Sequence, residues 1–445
     1  MAKELKKPAV AVVGAGMSGL ACAYELQKQG LHPQVFESLS SVGGRSGTRR
    51  AQHYPFDLGA QFLNSGYRVT REYVNELGLS QKWKTMHPST HHLFVDGELH
   101  CISFESNREL FSLPIYSPLS RIRLLLTYLR LRQRSRGLDL YDLSSIDPAL
   151  DKESAAEFTR KWGGDVVLDR GVDAMVHTYH FHSAEELSLS CLLAACSVLD
   201  DQMRYEYLEG GIDSLAQAFA DQVSVERSAP VLKVMTKQGK VYAEVDGEIH
   251  PFDRLVYATP PSVVRATYHT PTQGQDELLQ GVRYASTINA SFWVPQQHIW
   301  RIAMVAVPQS ESASICCYFN QHSKYAEYSP EGRTLVNVFL RDSFTNQLLD
   351  KPDEEIWKLM QAEFIRLCPP LLEHSQEVVP HELQRWREAI PKYYPGYLQK
   401  VRHFSEAHQG EQNVFFCGDY MNAPWVEGSL RCGRAVAQSV LESLD

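Results

Sequence analysis

The sequence predicts a mixed α/β protein with a Rossmann-like half, and three observations near its start carry that expectation. Residues 9–13 read Ala-Val-Ala-Val-Val, an apolar run of strand length, as expected for a strand buried on both faces of a parallel sheet. Gly14, Gly16 and Gly19 follow at once and open a stretch at 20–26, Leu-Ala-Cys-Ala-Tyr-Glu-Leu, that reads as a helix with small residues toward the sheet. A second strand at 34–37 ends on Glu37, eighteen residues beyond Gly19. Strand, glycine turn, helix, strand and acid in this order describe a dinucleotide-binding βαβ unit.

Each part has a physical task. Gly14 permits the tight turn, Gly16 lets the backbone approach a pyrophosphate, and Gly19 allows helix to pack closely on strand. The helix N-terminus, entered through Ala15 and Ser18, offers unpaired N–H groups and a positive dipole end to phosphates. Glu37 can accept hydrogen bonds from ribose hydroxyls, which disfavours a ribose carrying a 2′-phosphate.

Composition bounds the rest. The 445 residues allow two or three domains and a sizeable core. A formal net charge of −9 argues against a general nucleic-acid binder. Nine cysteines, an odd count with no CxxC pair, indicate neither a disulfide framework nor a zinc ribbon. The first residues carry positive charge without an apolar segment behind it, so no secretory leader is expected, and no stretch is apolar enough for a membrane span. A reducing cytoplasm is the expected compartment.

Further along, Gly43, Gly44 and Arg45 stand just after the acid, followed by 56–62, Phe-Asp-Leu-Gly-Ala-Gln-Phe. Near the other end, residues 413–420 form a strand closing on Gly418 and Asp419, and a helix opens near Trp425 with Glu427 in its first turn. These blocks, in this order and with these gaps, resemble the flavin-containing amine oxidase superfamily, which also takes in protoporphyrinogen oxidases and phytoene-desaturase-like enzymes. The resemblance is strong over 9–65 and 381–442, moderate at 207–212, 229–231 and 255–261, and diffuse between. It implies a Rossmann-like FAD-binding domain (1–85, 205–262 and 385–445) interleaved with a substrate domain of mixed sheet and helices (86–204 and 263–384).

The resemblance also implies FAD rather than NAD. Glu37 would hold the adenosine ribose, and Arg45, after Gly44, would reach the pyrophosphate. Gly59, Ala60, Gln61 and Phe62 would run beside the isoalloxazine ring. Val231 would touch the adenine end through its backbone. Asp419, after Gly418, would bind the ribityl or pyrophosphate region, and the helix opening near Val426 would aim N–H groups at the flavin N1/O2 edge. Monoamine oxidases tether FAD through a cysteine in the segment corresponding to 389–396; none stands there, so the FAD is expected to be non-covalent. A lysine common in the strand corresponding to 285–293 is also missing, with Asn289 at its place. Residues 389–393, Ala-Ile-Pro-Lys-Tyr, resemble the protoporphyrinogen-oxidase branch more closely, as do the runs 154–158, 162–164 and 184–188.

Such an enzyme passes hydride from a substrate carbon to flavin N5 in a dry, oriented pocket and needs little acid–base machinery. Trp386, Tyr394 and Trp425 are the substrate-positioning candidates, with Tyr393 beside them; core packing is the alternative for the two tyrosines. His177, His180 and His182 lack a partner set of recognised metal-ligand spacing and read as a surface or pocket wall, so no metal is expected. No nucleophile motif, second GxGxxG or redox CxxC appears. The function expected is two-hydrogen oxidation of a CH–NH bond of an amine-like small molecule, with O2 or a quinone-like acceptor. Its rivals are CH–CH dehydrogenation of a porphyrinogen- or polyene-like substrate, and a non-catalytic flavin-binding scaffold. Finally, 121–136 carries six arginines and no acid. A solvated basic helix face is the favoured reading there, and peripheral membrane contact through 111–136 the rival.

Overall fold

The computed structural model describes residues 7–102, 111–197 and 203–444; residues 1–6, the start of the stretch in which no secretory leader is expected, lie outside them. The apolar run forms the strand Val10–Val13, buried along its length, at the centre of a five-stranded sheet. The strand order is Ser224–Glu226, Gln34–Phe36, Val10–Val13, Arg254–Tyr257, Val414–Phe416, and every neighbouring pair is parallel. Three stretches distant in sequence therefore meet in one sheet. The helix Met17–Lys28 follows the glycine turn and buries Gly19, Leu20, Ala21, Cys22 and Ala23. The final helix, Trp425–Glu442, packs directly on it. Small residues permit this close approach.

The second large sheet has seven strands, in the order Val379–Pro391, Tyr284–Pro295, Arg333–Leu340, Ile315–Asn320, Met304–Ala306, His91–Val95, Glu98–Ile102. Its pairings are antiparallel except that of Met304–Ala306 with His91–Val95. One face packs on the helix Asp353–Leu367, where Phe292, Tyr318 and Val338 share a core with Ile356, Met360 and Phe364. The strand Val379–Pro391 runs across the expected boundary at 385 and is an edge strand of this sheet. The helices Pro118–Ser135, Ala155–Val167 and Leu189–Ser197 pack together in a separate layer.

Eight of the cysteines, all but Cys101, are free and buried, and Cys101 is exposed. Among the described residues, no helix is long and apolar enough to cross a membrane, and no group of His, Cys, Asp or Glu could hold a metal ion.

Candidate functional site

At the first turn, Gly14 has φ +103, and a side chain there would stand 2.8 Å from Ala258 O. At Gly19 it would stand 2.1 Å from Gly14 O, so turn and helix can close only on glycines at both positions. Gly16 differs: no heavy atom lies within 4 Å of where its side chain would start. The second glycine pair lies against the first. Gly43 N donates to Ala15 O at 2.8 Å, and a Cβ on Gly44 would lie 3.7 Å from Gly16 Cα. Glu37, at the end of the second strand and 8% exposed, accepts from Ala15 N at 2.7 Å and Leu39 N at 3.0 Å. Residues just before Val231 run alongside: Ala229 N donates to Glu37 O at 2.8 Å. Val231 itself is buried.

Arg45 leaves this double turn and meets Asp419, 374 residues away, through two parallel bonds of 2.7 and 3.0 Å. Burial opposes the guanidinium charge, and Asp419 and Tyr284 together more than offset it, so the Arg45 pKa lies above its ordinary value. Tyr284 completes the cluster, donating to Asp419 at 2.8 Å with its ring 5.3 Å from the guanidinium. Tyr393 donates to Asp419 O. Tyr394 does not join: its hydroxyl donates to Gly281 O at 2.7 Å, and the Arg283 guanidinium lies over its ring. Gly418 N meets Cys432 Sγ, and Val426 is buried in the first turn of the last helix.

The stretch 57–62 is held by a buried polar network from the seven-stranded sheet and from the turn and short helix His322–Tyr325 that follow its strand Ile315–Asn320. Ala60 N donates to Arg45 O at 3.0 Å, and Gly59 lies so close to Arg45 O that a Cβ would stand 2.1 Å from it. Leu58 O accepts from Asn289 Nδ2 at 2.8 Å and Trp386 Nε1 at 3.2 Å. The Gln61 side chain donates to Asp57 O at 2.7 Å and accepts from Gln321 at 2.8 Å and Asn337 at 3.1 Å. Lys324 Nζ donates to the Asp57 carboxylate and, at 2.7 Å, to Gln61 O. Lys324, Gln321 and Asn337 are functional candidates that sequence reasoning missed. They sit in the diffusely matching region; Asn337 is a lone polar residue in an apolar strand, whereas Gln321 and Lys324 stand in the polar run 320–324, Asn-Gln-His-Ser-Lys, and carry no such signal.

Phe62 begins an aromatic wall. Its ring meets Tyr205 edge-on at 4.6 Å and Tyr179 at 6.1 Å, and the two hydroxyls are 2.8 Å apart. Next to Tyr179, His180 stands 5.2 Å from the Trp425 ring, which also faces Tyr141. Trp425 has φ +71, an uncommon conformation for a bulky residue and one that marks functional positions more often than ordinary ones. Burial, then the neighbouring His182, pushes the His180 pKa well below its ordinary value, so the imidazole is neutral. His180 thus forms a buried wall beside Trp425, with the His182 ring 5.5 Å from its own. A cleft of about 630 Å³ lined by Asp169, Asp173, His177 and Glu186 shares one histidine with the run 177–182 but none of the predicted site residues.

Several observations fit a bound dinucleotide. The face of Gly16 is open, Thr259 Oγ1 beside Gly14 is buried without a hydrogen-bond partner, and Asn289 Oδ1, Tyr141 OH and His180 Nδ1 are likewise buried and unpartnered among the described residues. Buried polar groups without partners are rare in folded chains.

Comparison with known proteins agrees with this geometry. A family model described as flavin containing amine oxidoreductase matches residues 17–441. An L-amino acid oxidase of Crotalus durissus cumanensis is 22% identical, over 97% of this chain and 89% of that protein. The coproporphyrinogen III oxidase of Bacillus subtilis (strain 168) is 19% identical, over 98% of this chain and 99% of that protein. Among solved structures, a provisionally assigned protoporphyrinogen oxidase from Exiguobacterium sp. 255-15 superposes with a TM-score of 0.78 at 16% identity, covering 98% of this chain and 99% of that one.

Proposed function

Because the chain belongs to the flavin-containing amine oxidoreductase family, we propose that it is an FAD-dependent oxidoreductase that removes two hydrogens from a CH–NH bond of an amine-like small molecule, with O2 as acceptor. Bound FAD would supply the two-electron acceptor, taking hydride at N5. The protein's part is binding, orientation and exclusion of water. Glu37 would accept the ribose hydroxyls, and the open face of Gly16 with the helix Met17–Lys28 behind it would receive the pyrophosphate. Arg45, held in plane by Asp419, would present its remaining donors to phosphate oxygens. The stretch 59–62, stitched to the sheet by Asn289, Gln321, Lys324 and Asn337, would hold the ring rigidly. Binding would be non-covalent, since 389–396 has no cysteine and burial pushes the pKa of Cys417, beside Gly418, well up.

The observation that carries this reading is the convergence of 14–19, 43–45, 57–62 and 418–419 around one open glycine face. The aromatic wall of Phe62, Tyr179, Tyr205 and Trp425, with neutral His180, would then position the substrate, with Trp386 behind Leu58. Two domains follow from the same reading: 1–85, 205–262 and 385–445 for FAD, with 86–204 and 263–384 for the substrate.

A second reading is CH–CH oxidation of a porphyrinogen-like substrate, favoured by the full-length relative that is a coproporphyrinogen III oxidase and by Asn289 in place of a lysine. The purified protein is expected to be yellow and to bleach anaerobically with its substrate. Peroxide release with amines, amino acids and protoporphyrinogen separates the two readings. A protein that takes up no FAD overturns both, and one that holds FAD yet is reduced by no member of the panel is a scaffold.

A further inference from the structure

The helix Pro118–Ser135 exposes an apolar band beside the basic residues that composition singles out. It is set by Ser117, whose side chain accepts from Ser120 N, and by Pro118 in the first turn. It buries Leu124, Thr127, Leu131 and Ser135 against its neighbours. At 3.6 residues per turn, the opposite face carries Leu119, Ile122, Leu125, Leu126 and Leu129. Those five are 58, 58, 41, 41 and 53% exposed. They are five of the fourteen exposed large apolar side chains among the described residues, so they form a band rather than the scatter normal on a soluble surface.

Arginines border that band on both sides. Arg123, Arg130 and Arg134 follow one edge, and Arg121 and Arg132 the other, with Arg136 just past the end. Arg130 lies 3.7 Å over Trp162 and Arg121 donates to Leu113 O at 3.1 Å, which holds both heads at the borders. No acid occurs between Glu109 and Asp139, although the whole chain has a net charge of −9. We propose that this face docks on an anionic phospholipid bilayer, with the apolar band at the acyl boundary and the arginines at the phosphates. A second copy is a poorer occupant, because a two-fold contact through this helix sets six arginines against six.

The test uses the full-length, flavin-loaded protein and its partition onto phosphatidylcholine vesicles with and without phosphatidylserine. Binding is expected only with phosphatidylserine and to weaken at high salt. Ile122→Ser/Leu126→Ser/Leu129→Ser should weaken it about a hundredfold. Arg123→Gln/Arg136→Gln should weaken it about twenty-five-fold, each arginine near an anionic surface contributing about fivefold. Flavin absorbance and sedimentation should not change in either variant. Should the triple variant fail to accumulate, Leu129→Asp reads the same face at one position. Wild-type protein that ignores phosphatidylserine vesicles overturns the proposal and leaves an acidic protein as the occupant. So does unweakened binding by the apolar variants, or a wild-type dimer that the triple variant splits.

Discussion

Lys324 and Asp57 form an ion pair in which each side chain is 2% exposed. Burial lowers the Lys324 pKa, and the Asp57 carboxylate only partly restores it. The ammonium is kept charged in the interior by the bonds it makes, to Asp57 and to Gln61 O, and Asp57 also accepts from Tyr325 at 2.8 Å and Thr48 at 2.6 Å. Removing one member of such a pair leaves the other charge buried and alone. Lys324→Met is therefore expected to lower unfolding free energy by about 3–5 kcal/mol, measured by urea denaturation; a change below about 1 kcal/mol would sink the idea that this lysine anchors 57–62. Arg45 makes a different prediction, because its planar fork is what Asp419 holds. Arg45→Lys keeps the charge and loses the paired geometry, so FAD affinity of the apoprotein is expected to fall by about tenfold, roughly 1.4 kcal/mol, in a fluorescence titration. Unchanged affinity would remove Arg45 from the proposed phosphate contacts.

Between elements, Glu427 shows what a short motif can and cannot reveal. Its place in the first turn of the last helix is legible from sequence, where an acid complements the helix dipole. Its actual partners are not. Fully buried, it accepts from Val69 N at 3.0 Å, Thr70 N at 2.8 Å and Thr70 Oγ1 at 2.7 Å, and from Arg431 at 2.8 Å. It thereby caps the helix Arg68–Glu76, whose own N-cap residue, Tyr67, makes no side-chain cap bond. Glu427→Gln keeps the shape but removes the charge, and about 1–2 kcal/mol of stability should go with it; a melting temperature equal to wild type would refute the cap. The same contrast runs through the fold. The strand–glycine–helix–strand order at 10–37 was readable because the turn chemistry and periodicity are local. The seven-stranded sheet was not, because its polar positions Asn289 and Asn337, with Gln321 and Lys324 just past the strand Ile315–Asn320, acquire meaning only when Leu58 and Gln61 arrive from more than 230 residues away. Of the paired tyrosines, sequence spacing could not tell that Tyr393 turns to Asp419 and Tyr394 to Gly281.

At the scale of the whole molecule, buried histidines make stability depend on pH. Burial, then the neighbouring His92, lowers His91 to about 3, burial lowers His182 to about 4, and burial with His182 beside it takes His180 well below its ordinary value. In the unfolded chain each titrates near 6.5. Above that pH neither state carries the extra protons and the stability is fully present. As pH falls below it, the unfolded chain takes up protons that the folded one refuses, so stability is lost down through the folded values of about 4 and 3. Each histidine contributes about 1.4 kcal/mol of loss between about pH 7.5 and about pH 5.5, about 4 kcal/mol for the three. Unfolding free energies by urea at the two pH values should differ by at least that much, since burial lowers His92, His322 and His381 as well. His182→Gln, which cannot take the proton, should reduce the difference by about 1.4 kcal/mol. An undiminished difference in His182→Gln would mean that this imidazole is solvated in the folded protein, and the buried wall beside Trp425 would have to be redrawn around a charged group.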